Sequence, residues 1–209
     1  MGLIGAQTID VHAHVVLDAT MGAAGAQGPE LTIEQPPRFR AGDYELVGVK
    51  YRNSPFMDPQ LRLTAMDEVG IDYQVLSPNP LTYFHYISSR QAQHFCRTHN
   101  NALASLVGDH ADRLGAFAAI PMQDIGFAME ETERAVTELG FYAPYIGTDF
   151  GVALNDSSLD PFYDLLVRLD VPLFIHPAPA GIDGPAGDPR LKQFDLDIIV
   201  GFAAQETIA

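Results

Sequence analysis

Cysteine is nearly missing from this chain of 209 residues: Cys96 is the only one. A single thiol cannot close an internal disulfide, so a reducing cytoplasm is the expected location. Positive charge is also scarce. The 12 Lys and Arg residues stand against 27 Asp and Glu, for a formal net charge of −15. A surface of that sign repels phosphate backbones and anionic lipid, which argues against nucleic-acid and membrane partners. No apolar run approaches the roughly 18 residues that a membrane span requires. The opening MGLIGAQTID has neither the basic nor the apolar region of a secretory signal. Ala6 stands where a myristoylation pattern wants Ser or Thr. Internal repeats are lacking, and no boundary is marked, so residues 1–209 are read as one domain.

What is present is an alternation of strand-like and helix-like segments. Apolar stretches at Thr8–Val16, Tyr73–Ser77, Leu114–Pro121, Tyr145–Thr148 and Val171–His176 read as strands. Helical starts lie between them. Asp58-Pro59 and Asp160-Pro161 each place a capping carboxylate before a proline suited to the first turn. Ser88 with Gln91 reads as a capping box, and Asp124 as a further cap. Gly70 and Gly140 stand where helices end. Strand, helix, strand, helix is the signature of a parallel sheet built from βαβ crossovers. Residues 17–57 break the rhythm. They are long, Gly-rich near Met21–Gly28, and hold a strand-like piece at Tyr44–Tyr51, which makes them an elaborated first βα loop. Phe194–Ala209 reads as a helix with no strand after it. Five strands do not close an eight-stranded barrel, so a truncated barrel is expected, with a finished open sheet as the alternative.

Chemistry concentrates in two places. In Ile9-Asp10-Val11-His12-Ala13-His14, strand alternation puts Asp10, His12 and His14 on one face. Two imidazoles aimed at a common point can chelate a divalent ion. The plainer reading is a pair of hydrogen-bonded core histidines. The second place is Phe174-Ile175-His176-Pro177, where one histidine ends an apolar strand expected to be buried on both faces. Polar residues at the C-terminal ends of barrel strands are where catalytic groups project. Elsewhere, Arg52 is suited to grip a carboxylate, or is a solvated surface residue. Phe84 and His85 line the pocket mouth or pack an ordinary loop. His94, His99 and His110 read as structural residues of one helix. Glu130, Glu131 and Glu133 read as complements to a helix dipole.

The ordered set IDVHAH, RLTAMDEVGIDYQVLSPNP, RLGAFAAIPMQD and LDVPLFIHP resembles the amidohydrolase superfamily. The branch is that of aminocarboxymuconate-semialdehyde decarboxylase and the γ-resorcylate decarboxylases. The likeness covers nearly all of the chain. It departs at Ile146-Gly147-Thr148-Asp149-Phe150-Gly151, where the semialdehyde decarboxylase has a His-containing turn.

The resemblance implies a distorted (β/α)8 TIM-type barrel with one divalent metal, zinc in the first place and manganese as the alternative. By it, His12, His14 and His176 are metal ligands, and Asp10 stands behind them. It also implies a proton-handling histidine and a ligating aspartate beyond Ala209, so the 209-residue chain alone is expected to be inactive. The expected activity is that of a carboxy-lyase or hydrolase acting on a small aromatic or unsaturated carboxylic acid, in a homo-oligomer, a dimer. The alternative is a non-catalytic truncated barrel with a structural or interaction role.

Overall fold

The computed structural model describes residues 5–148, 150–177 and 203. Strand β1 (Ile9–Val15) leads into an excursion carrying β2 (Glu30–Leu31), β3 (Arg38–Ala41) and β4 (Tyr44–Val47). Then come α1 (Pro59–Val69), β5 (Tyr73–Pro78), α2 (Ser89–Gly108) and β6 (Leu114–Ala119). The described chain continues through α3 (Ile125–Thr137), β7 (Ala143–Gly147), α4 (Asp160–Leu169) and β8 (Phe174–His176). Of the helix expected over Phe194–Ala209 only Ala203 is described, and it is helical; the rest lies outside the described residues, as does Asp149.

β1, β5, β6, β7 and β8 form one sheet in that order, with every neighbouring pair parallel. Strand order follows chain order without reversal. A doubly wound sheet reverses at a switch point, whereas a (β/α)8 wall does not. The sheet is also strongly curled. Four inter-strand steps would set β1 and β8 about 19 Å apart if it were flat. The imidazole centroids of His12 on β1 and His176 on β8 nevertheless lie only 5.1 Å apart.

Side-chain alternation sorts the core onto the two faces of this wall. Leu76, Leu114, Ala118 and Ile146 face the helices, where Leu103 and Phe162 cover them. Tyr73, Val75, Phe117, Ala143 and Tyr145 fill the concave side. Gly115 is required on that side, because a Cβ there would run into the rings of Tyr142 and Tyr73. Tyr73 is held in place by donating its hydroxyl to the Leu114 carbonyl at 2.8 Å.

Most caps form as read. Asp58 accepts from the Gln60 and Leu61 amides, and Gly70 closes α1 with φ 74°. Asp124 accepts from Phe127 at 2.9 Å. The capping box is only half made: Ser88 accepts from the Gln91 amide, but the Gln91 side chain donates to the Ala24 carbonyl at 2.5 Å instead of turning back. That bond ties the first excursion to α2. α4 begins at Asp160 with Leu159 as its cap residue, so Asp160 lies inside the first turn. His110 lies past the end of α2.

Two strand expectations need correction. The last strand among the described residues is Phe174–His176, shorter than Val171–His176. The Val171 amide is taken by the Leu166 carbonyl at the end of α4, and Pro172 has no N–H to offer the sheet. Nor is this strand buried on both faces, since Ile175 is 36% exposed. Within residues 17–57, β4 covers less than the piece read as strand-like. It pairs antiparallel with β3, which pairs with β2. Gly42 takes φ 60° in the two-residue turn between β3 and β4.

Candidate metal centre

β1 and β8, the two edge strands of the sheet among the described residues, supply the three histidines. The curl brings their rings together, with centroid separations of 5.0, 5.1 and 5.0 Å for the pairs His12–His14, His12–His176 and His14–His176. One ring nitrogen from each lies within 4.8 Å of the other two. The Nε2 atoms of His12 and His14 are 3.3 Å apart. Two nitrogens bound tetrahedrally at zinc-like distances would be about 3.4 Å apart, so this spacing suits a shared ion.

Hydrogen bonds set the tautomers. His14 Nδ1 lies 3.1 Å from the Pro78 carbonyl and 3.0 Å from Ser77 Oγ. A carbonyl only accepts, so Nδ1 carries the proton and Nε2 keeps its lone pair for the centre. His176 does the same, donating from Nδ1 to the Pro177 carbonyl at 2.8 Å. Burial pushes the His14 pKa down to about 3, and the neighbouring His176 and His12 add to the effect. Burial also lowers His176. Both imidazoles are therefore neutral at physiological pH, which is the ligating form. The donor set, its spacing and its protonation state fit a divalent ion.

Asp10 does not join this cluster. The register shifts between Asp10 and Ala13: Asp10 lies opposite Gln74 and Ala13 opposite Leu76, so β1 holds one extra residue there. The alternation expected to carry Asp10 onto the histidine face is interrupted. The Asp10 carboxylate instead accepts from the His12 amide at 2.9 Å and from Gln74 Nε2 at 2.7 Å. Gln74 Oε1 accepts from Arg62 at 2.5 Å, and Arg62 also donates to the His14 carbonyl at 2.7 Å.

The other candidate residues stand apart. Arg52 pairs with Asp18 at 3.1 Å, both side chains well exposed. It lines a cleft of about 490 Å³ with Thr32, Lys50, Tyr51 and Asn53. Phe84 is buried against Phe95 with ring centroids 5.0 Å apart. His85 meets Tyr86 edge-on at 5.2 Å. The aromatic residues found beside the histidines are ones that sequence reasoning passed over. The Tyr145 ring is 5.7 Å from His176 and 6.4 Å from His14, and Tyr83 lies 5.8 Å from Tyr145. Both hydroxyls are buried; they interact with one another, and that of Tyr145 with Ser77, without forming a hydrogen bond of good geometry among the described residues. Burial pushes both phenols further up, so they remain protonated.

A curled parallel sheet in sequential order among the described residues, with three imidazoles converging from its first and last described strands, defines a barrel-type α/β protein with a metal-ready site. The family model described as amidohydrolase matches residues 9–205, and the chain belongs to that family. It is 32% identical over 156 residues to a γ-resorcylate decarboxylase of Rhizobium sp., a match covering 70% of this chain and 46% of that protein. It is 28% identical over 153 residues to the 2-amino-3-carboxymuconate-6-semialdehyde decarboxylase of Dictyostelium discoideum, covering 73% of this chain and 41% of that one. Among solved structures, it resembles a dihydroxybenzoic acid decarboxylase of Polaromonas sp. JS666 with bound manganese and 2-nitroresorcinol. The TM-score is 0.65 at 26% identity, with 88% of this chain and 54% of that chain covered. The chain thus spans less than half the length of the curated relatives named here. The resemblance read from its motifs is borne out at the level of the family.

Proposed function

We propose that this chain supplies three metal ligands of a metal-dependent decarboxylase acting on a small aromatic carboxylic acid. The observation that carries this reading is the convergence of one ring nitrogen each from His12, His14 and His176, with the His14 and His176 tautomers held by main-chain carbonyls. The naming of its relatives as decarboxylases of such acids supports the reaction class. A divalent ion held there would act as a Lewis acid toward substrate oxygens. Zinc suits imidazole nitrogens, and the manganese in the Polaromonas relative makes that ion an equal candidate.

The chain's own residues prepare the site. Main-chain carbonyls hold the His14 and His176 tautomers, and Asp10 stands behind His12. Arg52 is assigned to the substrate carboxylate, for which it must leave Asp18. Phe84 and His85 are assigned to the wall and mouth on the same side. The proton-handling histidine is assigned to none of these 209 residues. Residues 1–209 are taken as one domain with residues 17–57 as its elaborated loop, in a cytoplasmic homodimer binding neither nucleic acid nor membrane.

Metal titration tests the core of this reading. The wild-type chain should bind one equivalent of Mn2+ or Zn2+, and His176→Ala should weaken binding by about 100-fold or more. Unchanged affinity in both His12→Ala and His176→Ala would remove the proposed centre. At the protein's natural full length, loss of the ion should abolish CO2 release from γ-resorcylate, and Arg52→Ala should raise KM more than it lowers kcat.

A further inference from the structure

The register shift in β1 is gripped at both ends by one hydrogen-bond chain, buried at its Arg62–Gln74 centre and exposed where Asp10 meets the His12 amide. Arg62, on α1, is only 7% exposed, as is Gln74 on β5. Arg62 donates one bond to the His14 carbonyl, at 2.7 Å, and another to Gln74 Oε1, at 2.5 Å. Gln74 donates from Nε2 to Asp10 Oδ2 at 2.7 Å, and Asp10 Oδ1 accepts the His12 amide at 2.9 Å. The chain therefore leaves the main chain of one candidate ligand and returns to the main chain of the other. It also has a direction. A guanidinium only donates and a carboxylate only accepts, so the amide between them has one orientation that satisfies both. The cation and the anion are linked through a neutral group that fits in no other way.

From this geometry we infer that Arg62, Gln74 and Asp10 are positioning residues that fix the spacing of His12 and His14 for a shared metal ion. The inference rests on the metal-centre reading above. An extra residue in a strand is a place where the backbone has a choice of path, and two imidazoles 3.3 Å apart at Nε2 tolerate little drift. The relay removes the choice by holding the His12 amide and the His14 carbonyl from outside the strand. The relay's hydrogen bonds to the two histidines go to main-chain atoms, so its effect is on ligand geometry.

Co2+ is a suitable probe, because its visible absorption reports coordination geometry as well as occupancy. Arg62→Met removes the cation. Gln74→Glu keeps the shape but sets a second carboxylate against Asp10, and it carries the test if Arg62→Met does not fold. Asn100→Ala is the control, a variant that costs stability away from the centre. Each relay variant should bind Co2+ about 10- to 100-fold more weakly and show an altered absorption spectrum. Asn100→Ala should lower Tm yet keep wild-type affinity and spectrum. Wild-type Co2+ affinity and spectrum in the relay variants would overturn the inference. So would an Asn100→Ala variant whose affinity falls in step with its Tm, since the relay would then act only through global stability. If the wild-type chain takes up no Co2+, the metal-centre reading itself fails, and the positioning role falls with it.

Discussion

His99 shows what a single buried side chain adds. Among the described residues neither of its buried ring nitrogens has a geometrically good hydrogen-bond partner, and burial, opposed in part by the neighbouring Asn100 side chain, brings its pKa from 6.5 to about 4. The folded state therefore resists protonation that the unfolded state accepts. The resulting stability is complete above pH 6.5 and is lost as pH falls from there toward 4, by about 3 kcal/mol over the interval. His99→Phe should lose less stability than wild type between pH 7 and pH 4 in urea melts. Parallel losses in the two proteins would mean that His99 does not set the slope. The sequence reading of His99 as structural agrees with this burial. The metal-site candidates were legible for a related reason, because two polar residues spaced along an apolar strand have few uses. Tyr83 and Tyr145 were not legible. A tyrosine in an apolar segment reads as core, and only the fold brings these two beside His176. Asp10 was legible as a neighbour of the site, but the extra residue that redirects its carboxylate leaves no mark in the alternation pattern.

Among the elements, α2, α3 and β6 are joined by one polar cluster. Asn100 accepts from the Ala119 amide at 2.9 Å, donates to the Ala119 carbonyl at 2.9 Å, and reaches Glu131 at 2.7 Å. It thus completes the end of β6 as another strand would. Glu131, 1% exposed, is bound by Arg134 through two bonds of 2.9 and 2.6 Å. Its reading as a dipole complement is corrected, because the carboxylate is an internal fastener. Glu131→Ala leaves a guanidinium and an amide without their partner and should cost about 3–5 kcal/mol, visible as a lowered midpoint in thermal or urea melts. Helix starts were readable because a capping carboxylate and a proline act locally, as at Asp58-Pro59. β2 and β3 were not. They are short, β3 carries Arg-Phe-Arg-Ala, and Pro36-Pro37 precedes it. Their existence depends on pairing with each other and, for β3, with β4, which no local pattern encodes.

At the scale of the whole molecule, sequential parallel order was legible from alternation, and the curl was not. Curl is a sum of small twists between neighbours, expressed only when distant strands meet. An ion held by His12, His14 and His176 would bridge β1 and β8, the two edge strands of the sheet among the described residues. Binding confined to the folded state adds about 2.7 kcal/mol at 100 times the dissociation constant. Thermal melts should therefore shift upward with added Mn2+ or Zn2+ and return on chelation, and they should not shift in His176→Ala. The strand order also has a kinetic meaning. From β5 to β8 each strand pairs with the next one along the chain, so that part of the sheet can grow by local βα closures, whereas β1 joins β5 across the excursion of residues 17–57. The meeting of residues 12 and 176 needs every intervening unit in place. Contacts absent from the folding transition state act on the unfolding rate. A bound ion would then lengthen the lifetime of the native protein while leaving its rate of formation almost unchanged.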